Sequence, residues 1–250
     1  MIARRRIEAM PFFSIITVCY NSEKTIEKTL QSVLSQTEQD FEYILIDGAS
    51  TDGTLDILRA WEPKFGGRMK IVSEPDAGIY DAMNKGIRMA RGTLVGIVNS
   101  DDFYQSDALE RVKAHYDPSL RYQILYGAQN NIDDDGDITT VEFVHHKNLP
   151  VRMINHPACF VANAVYQDKA LYSLEYRSVS DYEFMLKMFY DPDVTFLPIH
   201  EVLTNFYVGG VSSSTKSHLE TFKLWRRYGC ITNKRYWLIT LSTYVKELIH

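Results

Sequence analysis

The sequence predicts an α/β fold, with one domain built on a mostly parallel central sheet flanked by helices and followed by a C-terminal helical tail. Two observations predict it. Short β-rich apolar runs alternate with segments of helical periodicity across residues 12–98, an order that gives parallel strands joined by right-handed crossovers. The run at 94–98 is nearly all apolar, which is typical of a strand covered on both faces.

Each element follows from a local pattern. Ser22 is expected to cap a helix in which Ile26, Leu30, Val33 and Leu34 recur at i, i+4, i+7 and i+8, the spacing of one helix face. The predicted strands are 12–18, 41–46, 69–73 and 94–98, and two further helices are predicted over 54–61 and 81–90. In the second half, 123–126 and 139–144 are β-rich.

Composition narrows the class of protein. The chain has 250 residues, 45% of them apolar and 24% charged, which is ordinary for a soluble globular protein and argues against disorder. Its net charge of −5 argues against nucleic acid as the main partner. Cys19, Cys159 and Cys230 form an odd set without metal-ligand spacing, so we expect reduced thiols and a cytoplasmic location.

Neither the N-terminal residues nor the hydropathy of the sequence predicts a secretion signal or a membrane-spanning helix. Arg4–Arg6 are followed by Ile7–Pro11, which is not the long apolar segment of a secretion signal. No apolar stretch approaches the roughly 20 residues of a spanning helix. Any membrane contact is therefore expected to be peripheral, at the inner face of the cell membrane.

Polar side chains follow all four predicted parallel strands at their carboxyl ends, where loops and helix N-termini converge. They are Thr17, Tyr20 and Asn21, then Asp47, then the loop 76–80, then Asp101 and Asp102. Paired carboxylates suit a hard divalent cation, and a glycine-containing loop at a helix start suits a diphosphate. The first turn has no Gly-x-Gly-x-x-Gly, which argues against a dinucleotide.

Four of these segments together resemble a known family. Residues 17–21 (TVCYN), 46–54 (IDGASTDGT), 78–86 (GIYDAMNKG) and 99–102 (NSDD) are similar to the family 2 glycosyltransferases, which have the A-type nucleotide-sugar-binding fold. The resemblance covers about 12–214. It implies a catalytic domain at 1–214, with a donor-binding half at 12–102 and an acceptor and base half at 103–214, and a separate basic amphipathic tail at 215–250.

The activity implied by this resemblance is transfer of a sugar from a nucleoside diphosphate sugar to an acceptor hydroxyl. It includes inversion at the anomeric carbon and a divalent metal, Mg²⁺ or Mn²⁺, on the diphosphate. By the same resemblance Asp47 accepts a hydrogen bond from the nucleotide base, and Thr17 and Asn21 line its pocket. The further donor contacts implied are Tyr20, Asp76, Gly78, Tyr80, Asn84, Lys85 and Asp101.

Two positions depart from the family pattern. Met83 stands where relatives often have an Arg, and its spacing with Ile87 places it in the core. Lys85 is interpreted equally well as a donor contact or as a solvated helix lysine. Asn99 stands where many relatives have an Asp, which leaves open which neighbouring carboxylate binds the metal; we assign Asp102 to the metal and Asp101 to the ribose or to a second metal contact.

The second half is expected to supply the base and the acceptor side. Asp181 matches the family's base position at the start of a helix, where the dipole favours a negative charge; it is also a candidate helix cap. Glu183 is the alternative base. His156 matches a segment lining the acceptor pocket in relatives, with a purely structural role as the other interpretation.

A calcium site is a weaker hypothesis. Asn131, Asp133, Asp135, Gly136 and Glu142 fit the twelve-residue calcium-loop spacing. The flanks are β-rich rather than helical, so residues 134–137 are predicted to form a hairpin turn.

After the small-residue segment 209–212, which in relatives often closes over the active site, the tail becomes basic and aromatic. Its residues include Lys216, Lys223, Arg226, Arg227, Lys234, Arg235, Phe222, Trp225, Tyr228, Tyr236 and Trp237. Such a segment is interpreted either as an interfacial membrane helix or as a helix docked on the core or on the partner of a homodimer. Membrane contact would favour a lipid-linked acceptor in cell-surface polysaccharide synthesis, and a glycan is the other acceptor class that we expect.

Three function classes remain. An inverting glycosyltransferase is the leading hypothesis. A non-catalytic nucleotide-sugar-binding or assembly module is the second, although four retained carboxylates argue against it. A nucleotidyltransferase is the third, and it would release pyrophosphate instead of a nucleoside diphosphate.

Overall fold

The structure is a computed structural model, and it describes residues 10–133, 135–208 and 215–249. The strands are β1 (Phe13–Cys19), β2 (Phe41–Asp47), β3 (Met69–Ser73), β4 (Leu94–Ile97), β5 (Phe103–Tyr104), β6 (Gln123–Ile132), β7 (Ile138–Glu142), β8 (Cys159–Ala162) and β9 (Thr195–Tyr207). The helices are α1 (Ile26–Leu34), α2 (Thr54–Trp61), α3 (Ile79–Met89), α4 (Ala108–His115), α5 (Asn163–Asp168), α6 (Ser180–Tyr190), α7 (Thr215–Arg227) and α8 (Asn233–Ile249). The residues 4–6 and 209–212 discussed above lie outside the described ranges.

One central sheet organises the fold. Its strand order is β3-β2-β1-β4-β8-β6-β9-β5, with β7 paired to β6. Strands β1 to β4 are all parallel, as predicted. Beyond β4 the sheet is mixed, because β8 is antiparallel to both of its neighbours while β6 and β9 run parallel. The α/β prediction is therefore confirmed, with the parallel part confined to the first half.

The predicted elements of the first half agree with the structure to within about two residues, apart from the start of α1. We expected Ser22 to cap this helix, but the cap residue is Thr25 and the helix begins at Ile26. The Ser22 carbonyl accepts the backbone N–H groups of Thr25 and Ile26, so Ser22 starts a preceding turn. The Ser22 hydroxyl instead contacts the loop after β4.

The core lies between the sheet and its helices. All seven residues of β1 and all four of β4 are buried. Met83 and Ile87, on the inner face of α3, are buried as predicted. Gly86 allows α3 to approach the sheet closely, because a Cβ at this position would lie 2.7 Å from Ile16 Cγ2. The close approach packs the C-terminal half of α3 against β1 and β2, since the same Cβ would also lie 3.4 Å from Ile46 Cγ1.

The predicted hairpin is present, with turn residues 135–137 described and residue 134 outside the described ranges. β6 and β7 are antiparallel, and Asp133 N donates to Asp137 O at the turn. Asp133 Oδ1 accepts the backbone N–H groups of Asp135 and Asp137. Because strands flank this turn on both sides, the segment lacks the helical flanks of an EF-hand.

The tail begins as a docked helix. Leu224 of α7 is fully buried, and Trp225 Nε1 donates to Tyr182 Oη of α6 at 2.9 Å. This contact supports the docked interpretation for α7. None of the helices in the described ranges has both the length and the apolar character needed to cross a bilayer.

Candidate active site

The loops after the four parallel strands meet at one edge of the sheet. Gly48 N donates to Cys19 O and Glu74 N donates to Asp47 O, which joins the first three loops. Ser22 Oγ and Ser100 Oγ lie 2.8 Å apart, which joins the first loop to the fourth. The structure therefore brings the predicted donor-side segments together.

Asp47 lies at the base of this edge and is fully buried. Ser73 Oγ donates to Asp47 Oδ2 at 2.6 Å, and Ser50 donates through its backbone and its hydroxyl. Thr17 is also fully buried, with its hydroxyl 2.9 Å from Tyr43 Oη. Both residues form the floor of the site in this conformation, so a nucleotide base reaching Asp47 would displace a serine hydroxyl.

The upper part of the same edge is accessible. The Tyr20 side chain is 63% exposed. Asn21 adopts a positive φ of 51°, and its Oδ1 accepts the Thr51 N–H at 2.9 Å. Because Asn is one of the few residues that tolerate this conformation, the position suits a tight turn. Tyr20 therefore presents an open aromatic face beside a rigid turn.

The glycine loop is held by its own side chains. Asp76 Oδ1 accepts the Gly78 N–H at 2.8 Å, and Gly78 has a φ of 117° that favours glycine. Gly48 leaves room for this loop, because a Cβ there would lie 2.6 Å from Asp76 Oδ2. Lys85 Nζ bonds Glu74 Oε1 at 2.9 Å and the carbonyl of Pro75 at 2.8 Å. In this conformation Lys85 therefore ties the loop to α3.

Asn84, which we expected to contact the donor, is buried and bonds to the protein backbone in this structure. Its side chain is 2% exposed. Asn84 Nδ2 donates to Tyr172 O at 2.8 Å, and Asn84 Oδ1 accepts the Tyr172 N–H at 3.0 Å. Because both ends of the amide bond the Tyr172 backbone, the side chain has a structural role in this conformation, and its contact with a donor stays a prediction.

Asp101 and Asp102 differ sharply in burial. Asp102 is 1% exposed, and its Oδ1 and Oδ2 accept the Tyr207 N–H at 3.1 Å and the Asn99 Nδ2–H at 3.3 Å. Burial, with the neighbouring Asp101 charge, raises the pKa of Asp102 to about 8. Asp101 is partly exposed, and burial raises its pKa as well. The geometry thus favours Asp101 as the outward carboxylate, the reverse of our assignment of Asp102 to the metal.

The two carboxylates fit a divalent cation that is also held by substrate. Within the described residues no three His, Cys, Asp or Glu side chains are grouped as metal ligands. A cation here would therefore take few protein ligands and complete its shell with water and diphosphate oxygens, a common arrangement for Mg²⁺. Burial and, second to it, the Asp101 charge raise the pKa of Asp102, and a bound cation would offset both by favouring the ionised carboxylates.

Asp181 joins the second half of the chain to the glycine loop. It lies in the first turn of α6, one residue inside the start at Ser180 and not at the cap, which is Val179. Tyr80 Oη donates to Asp181 Oδ1 at 2.8 Å. Burial and the Asp181 charge raise the pKa of Tyr80 well above its usual value, so Tyr80 stays protonated and remains a donor.

His156 lies beside this contact within an aromatic cluster. His156 Nε2 is 2.9 Å from Tyr172 Oη, and Tyr172 Oη is 3.1 Å from Tyr166 Oη. The Tyr80 and Tyr172 rings are 5.8 Å apart. Burial lowers the pKa of His156, and the Asp181 charge opposes this shift. A neutral His156 therefore sits at the edge of the site as a hydrogen-bonding group.

Glu183, the alternative base, points away from the site. It is 1% exposed, and its carboxylate faces Lys187 and Arg227, at 3.4 Å and 3.5 Å. Its role is to attach α7 to α6. The structure thus leaves Asp181 as the carboxylate that meets the glycine loop.

Several residues of the site were missed from the sequence. Ser73 holds Asp47, Tyr172 links Asn84 to His156, and the Tyr207 backbone anchors Asp102. No local motif marks these residues, because each acts through a partner distant in the chain. The one available signal was Ser73 at the end of a predicted strand next to Asp47.

Comparison with known proteins agrees with this geometry. The family model described as glycosyl transferase family 2 matches residues 14–175. A PGL/p-HBAD biosynthesis glycosyltransferase of Mycobacterium tuberculosis is 32% identical over 212 residues, covering 83% of this chain and 81% of the relative. A chondroitin synthase of Escherichia coli is 33% identical over 132 residues, covering 53% of this chain and 19% of the relative.

Solved structures share the fold at lower identity. Residues 1–349 of TarS from S. aureus, in complex with UDP-GlcNAc, match with a TM-score of 0.69 and 21% identity, over 86% of this chain and 66% of that one. The mannosyltransferase PcManGT from Pyrobaculum calidifontis, in complex with GDP-Man and Mn²⁺, matches with a TM-score of 0.65 and 20% identity, over 88% and 64%. Together with the family match, they show an A-type glycosyltransferase fold, and the chain belongs to glycosyl transferase family 2.

Proposed function

We propose that this protein is a metal-dependent inverting glycosyltransferase that moves a sugar from a nucleoside diphosphate sugar to an acceptor hydroxyl. The observation that carries the proposal is the 2.8 Å hydrogen bond from Tyr80 to Asp181. It places a carboxylate from the second half of the chain directly against the glycine loop of the donor half. A general base must lie within hydrogen-bond reach of the acceptor hydroxyl whose proton it takes, and that hydroxyl must lie next to the donor sugar.

The proposed reaction is a single displacement. Asp181 takes the proton of the acceptor hydroxyl on Oδ2, since Tyr80 already occupies Oδ1. The hydroxyl oxygen forms a bond to the anomeric carbon while the bond from that carbon to the diphosphate oxygen breaks. Because attack and departure occur on opposite faces of the sugar, the anomeric configuration inverts. The products are the glycosylated acceptor and a nucleoside diphosphate.

Asp101 and Asp102 would hold the cation of the diphosphate, with Asp101 as the direct ligand. Asp102 would support Asp101 from its buried place under Tyr207. When bound, Mg²⁺ or Mn²⁺ supplies charge neutralisation for the departing diphosphate. The Mn²⁺ in the PcManGT complex supports a divalent cation beside the nucleotide sugar.

The relatives suggest the substrate class. UDP, UDP-GlcNAc and GDP-Man in the neighbouring structures support a nucleotide-sugar donor. Relatives named for PGL/p-HBAD biosynthesis and for chondroitin synthesis support a glycolipid or polysaccharide acceptor. The three unpaired cysteines fit the reducing cytoplasm.

A two-step experiment tests the proposal. A thermal-shift panel of nucleoside diphosphates and their sugars with Mn²⁺ should identify the donor, because a ligand of the folded state raises Tm. Asp181→Asn should then keep donor binding and lose transfer, and the product of the wild type should have the inverted anomeric configuration. Asp168→Asn, a surface carboxylate paired with Arg121, is the matched control and should retain activity.

The outcomes separate the alternatives. Full activity of Asp181→Asn would refute the base assignment, and a retained configuration would refute the single displacement. Binding without transfer in the wild type, across a panel of acceptors, would favour a non-catalytic module. Release of pyrophosphate would favour a nucleotidyltransferase.

A further inference from the structure

The C-terminal tail is a basic segment on an acidic protein. Residues 215–250 contain seven Lys or Arg and two Asp or Glu, whereas residues 1–214 contain twenty and thirty. The tail therefore carries a formal charge of +5 and the rest of the chain −10. Such asymmetry favours a negatively charged partner for the tail.

Helix α8 adds an exposed apolar face to this basic segment. Trp237, Leu238 and Leu241 are 61%, 61% and 65% exposed, while Tyr236 and Thr240 on the opposite side are buried. Lys234 and Arg235, in the first turn of the same helix, are exposed. The helix thus has a packed side and a free side, and the free side combines an indole, two leucines and positive charge.

A cleft beside this face is also basic. It has a volume of about 350 Å³ and is lined by Lys223, Arg226, Arg227 and Tyr236, with Glu175 on its wall. Arg227 is paired with Glu175 at 2.7 Å. Arg226 lies over the Tyr236 ring at 4.9 Å and near the Trp237 ring at 5.9 Å, so the cleft and the apolar face are continuous.

We propose that this face of α8 docks on an anionic lipid bilayer, with lipid phosphates against Lys223 and Arg226. Trp and Leu enter the interface between headgroups and acyl chains, and basic side chains bind the anionic headgroups. A second copy of this chain fits less well. A two-fold contact through α8 would bring together two tails that each carry a formal charge of +5, and like charges repel.

Vesicle cosedimentation of the full chain tests the surface. The probes are vesicles of phosphatidylcholine alone and of two parts phosphatidylcholine to one part phosphatidylglycerol. We expect at least ~10-fold stronger partitioning to the anionic vesicles, because each basic side chain near such a surface contributes a factor of roughly five. Salt should weaken this binding.

Two variants separate the contributions. Trp237→Ser combined with Leu241→Ser should lower partitioning at least ~10-fold through lost apolar burial. The matched control is Ile138→Ser combined with Val141→Ser, because these β7 side chains are 58% and 63% exposed but lie outside the tail. The control should bind like the wild type.

Three results would overturn the proposal. The first is equal partitioning to both kinds of vesicle, and the second is unchanged binding of the Trp237 and Leu241 variant. The third is a dimer in light scattering that the same variant abolishes, because a second copy would then cover the face. Circular dichroism of the variant confirms that it is folded.

Helix α7 also contacts the segment that leads to Asp181, the proposed base. Glu220 of α7 accepts the Arg177 N–H at 3.1 Å, the Ser178 N–H at 2.9 Å and the Ser178 hydroxyl at 2.8 Å. Ser178 lies three residues before Asp181. Ser180 Oγ donates to Ser173 O at 2.6 Å and closes the same loop from inside.

We infer that Glu220 is a positioning residue for Asp181, an inference that rests on the proposed function. Its carboxylate fixes the backbone that leads into α6, and the direction of this backbone sets where the Asp181 carboxylate lies. Because displacement of a base by about 1 Å can cost about 100-fold in rate, the tail would contribute to catalysis without touching substrate.

Kinetics of Glu220→Ala in the full chain test this inference. We expect kcat to fall at least ~10-fold while donor affinity changes less than ~2-fold, since the donor-binding loops are untouched. Glu220→Gln, which keeps one acceptor oxygen, should recover part of the loss. Glu62→Gln, an exposed glutamate in the short helix after α2, is the control and should match the wild type.

The failures are distinguishable. If Asp181→Asn is active, the base assignment itself is wrong. If Asp181→Asn is inactive but Glu220→Ala keeps its kcat, only the positioning role is refuted. A Glu220→Ala variant that loses donor affinity and kcat together would indicate general misfolding and would also refute the specific role.

Discussion

Replacing Asn84 by Ala distinguishes a structural residue from a ligand contact. The Asn84 amide bonds both the N–H and the C=O of Tyr172 at 3.0 Å and 2.8 Å, and its side chain is 2% exposed. The alanine variant would leave this backbone unit without either partner. Each buried group left unpaired costs about 1–3 kcal/mol.

The two costs are not fully additive, because one loop carries both groups and can relax. We therefore expect a loss of about 2–4 kcal/mol in the free energy of unfolding, a large part of the roughly 5–15 kcal/mol of a typical domain. For a chain of this size the loss corresponds to a fall in Tm of about 5–15 °C. Urea unfolding followed by circular dichroism measures it, with an unchanged m value as the check on two-state behaviour.

Arg88→Ala is the matched control on the same helix, since Arg88 is exposed and its loss should change stability by less than about 0.5 kcal/mol. Donor affinity should be retained by Asn84→Ala below its Tm. The reasoning is refuted if Asn84→Ala is as stable as the control but binds the donor weakly. That result would mean that Asn84 leaves Tyr172 and contacts the ligand.

Three further outcomes are expected. Tyr80→Phe should lower kcat by about 10- to 100-fold with little change in KM, because a hydrogen bond to the charged Asp181 is worth about 1.5–3 kcal/mol. Steady-state kinetics measure both constants, and a rise in KM with an unchanged kcat would contradict the prediction. Gly86→Ala should destabilise the fold by about 1–3 kcal/mol in urea unfolding, since its Cβ would overlap Ile16, and an unchanged midpoint would exclude the clash. Asp101→Asn should abolish the Mn²⁺-dependent thermal shift with donor. It should also raise the Tm of the free protein, because it removes the charge that, after burial, opposes ionisation of Asp102. A retained Mn²⁺ response would argue against Asp101 as ligand.

Local periodicity was sufficient for the first half of the fold. The bounds of α2 and β3 agree with the prediction, and those of β1 and β2 differ by about one residue, because each element buries a face whose spacing is visible in the sequence. The second half was less predictable. β6 continues to Ile132, well beyond the predicted 123–126, because β7 and β9 pair with the extension in a way that no local pattern reveals.

The site shows the same division between local and distant information. Ligands of parallel sheets bind at the carboxyl ends of the strands, and this rule predicted the edge of the sheet where the donor-side loops meet, since it depends only on where the strands end. It could not show that Asn84 binds a backbone 88 positions away, or that Tyr80 meets a carboxylate 101 positions away. The sequence also provided no measure of exposure, so it did not show that Asp47 is fully buried while Tyr20 is 63% exposed.

The pair Asp101 and Asp102 shows why burial decides between adjacent carboxylates. A metal ligand must direct a lone pair into space that a cation and its waters can enter. Asp102 has both oxygens engaged, by Tyr207 N and by Asn99 Nδ2, and the hydroxyl of Thr29 donates to its backbone carbonyl at 2.7 Å. These contacts fasten the strand end to β9 and α1, and they hold the neighbouring carboxylate at the open side. We therefore expect Asp102 to act by positioning Asp101, so that a cation bound at this strand end would meet the Asp101 carboxylate and not the buried one.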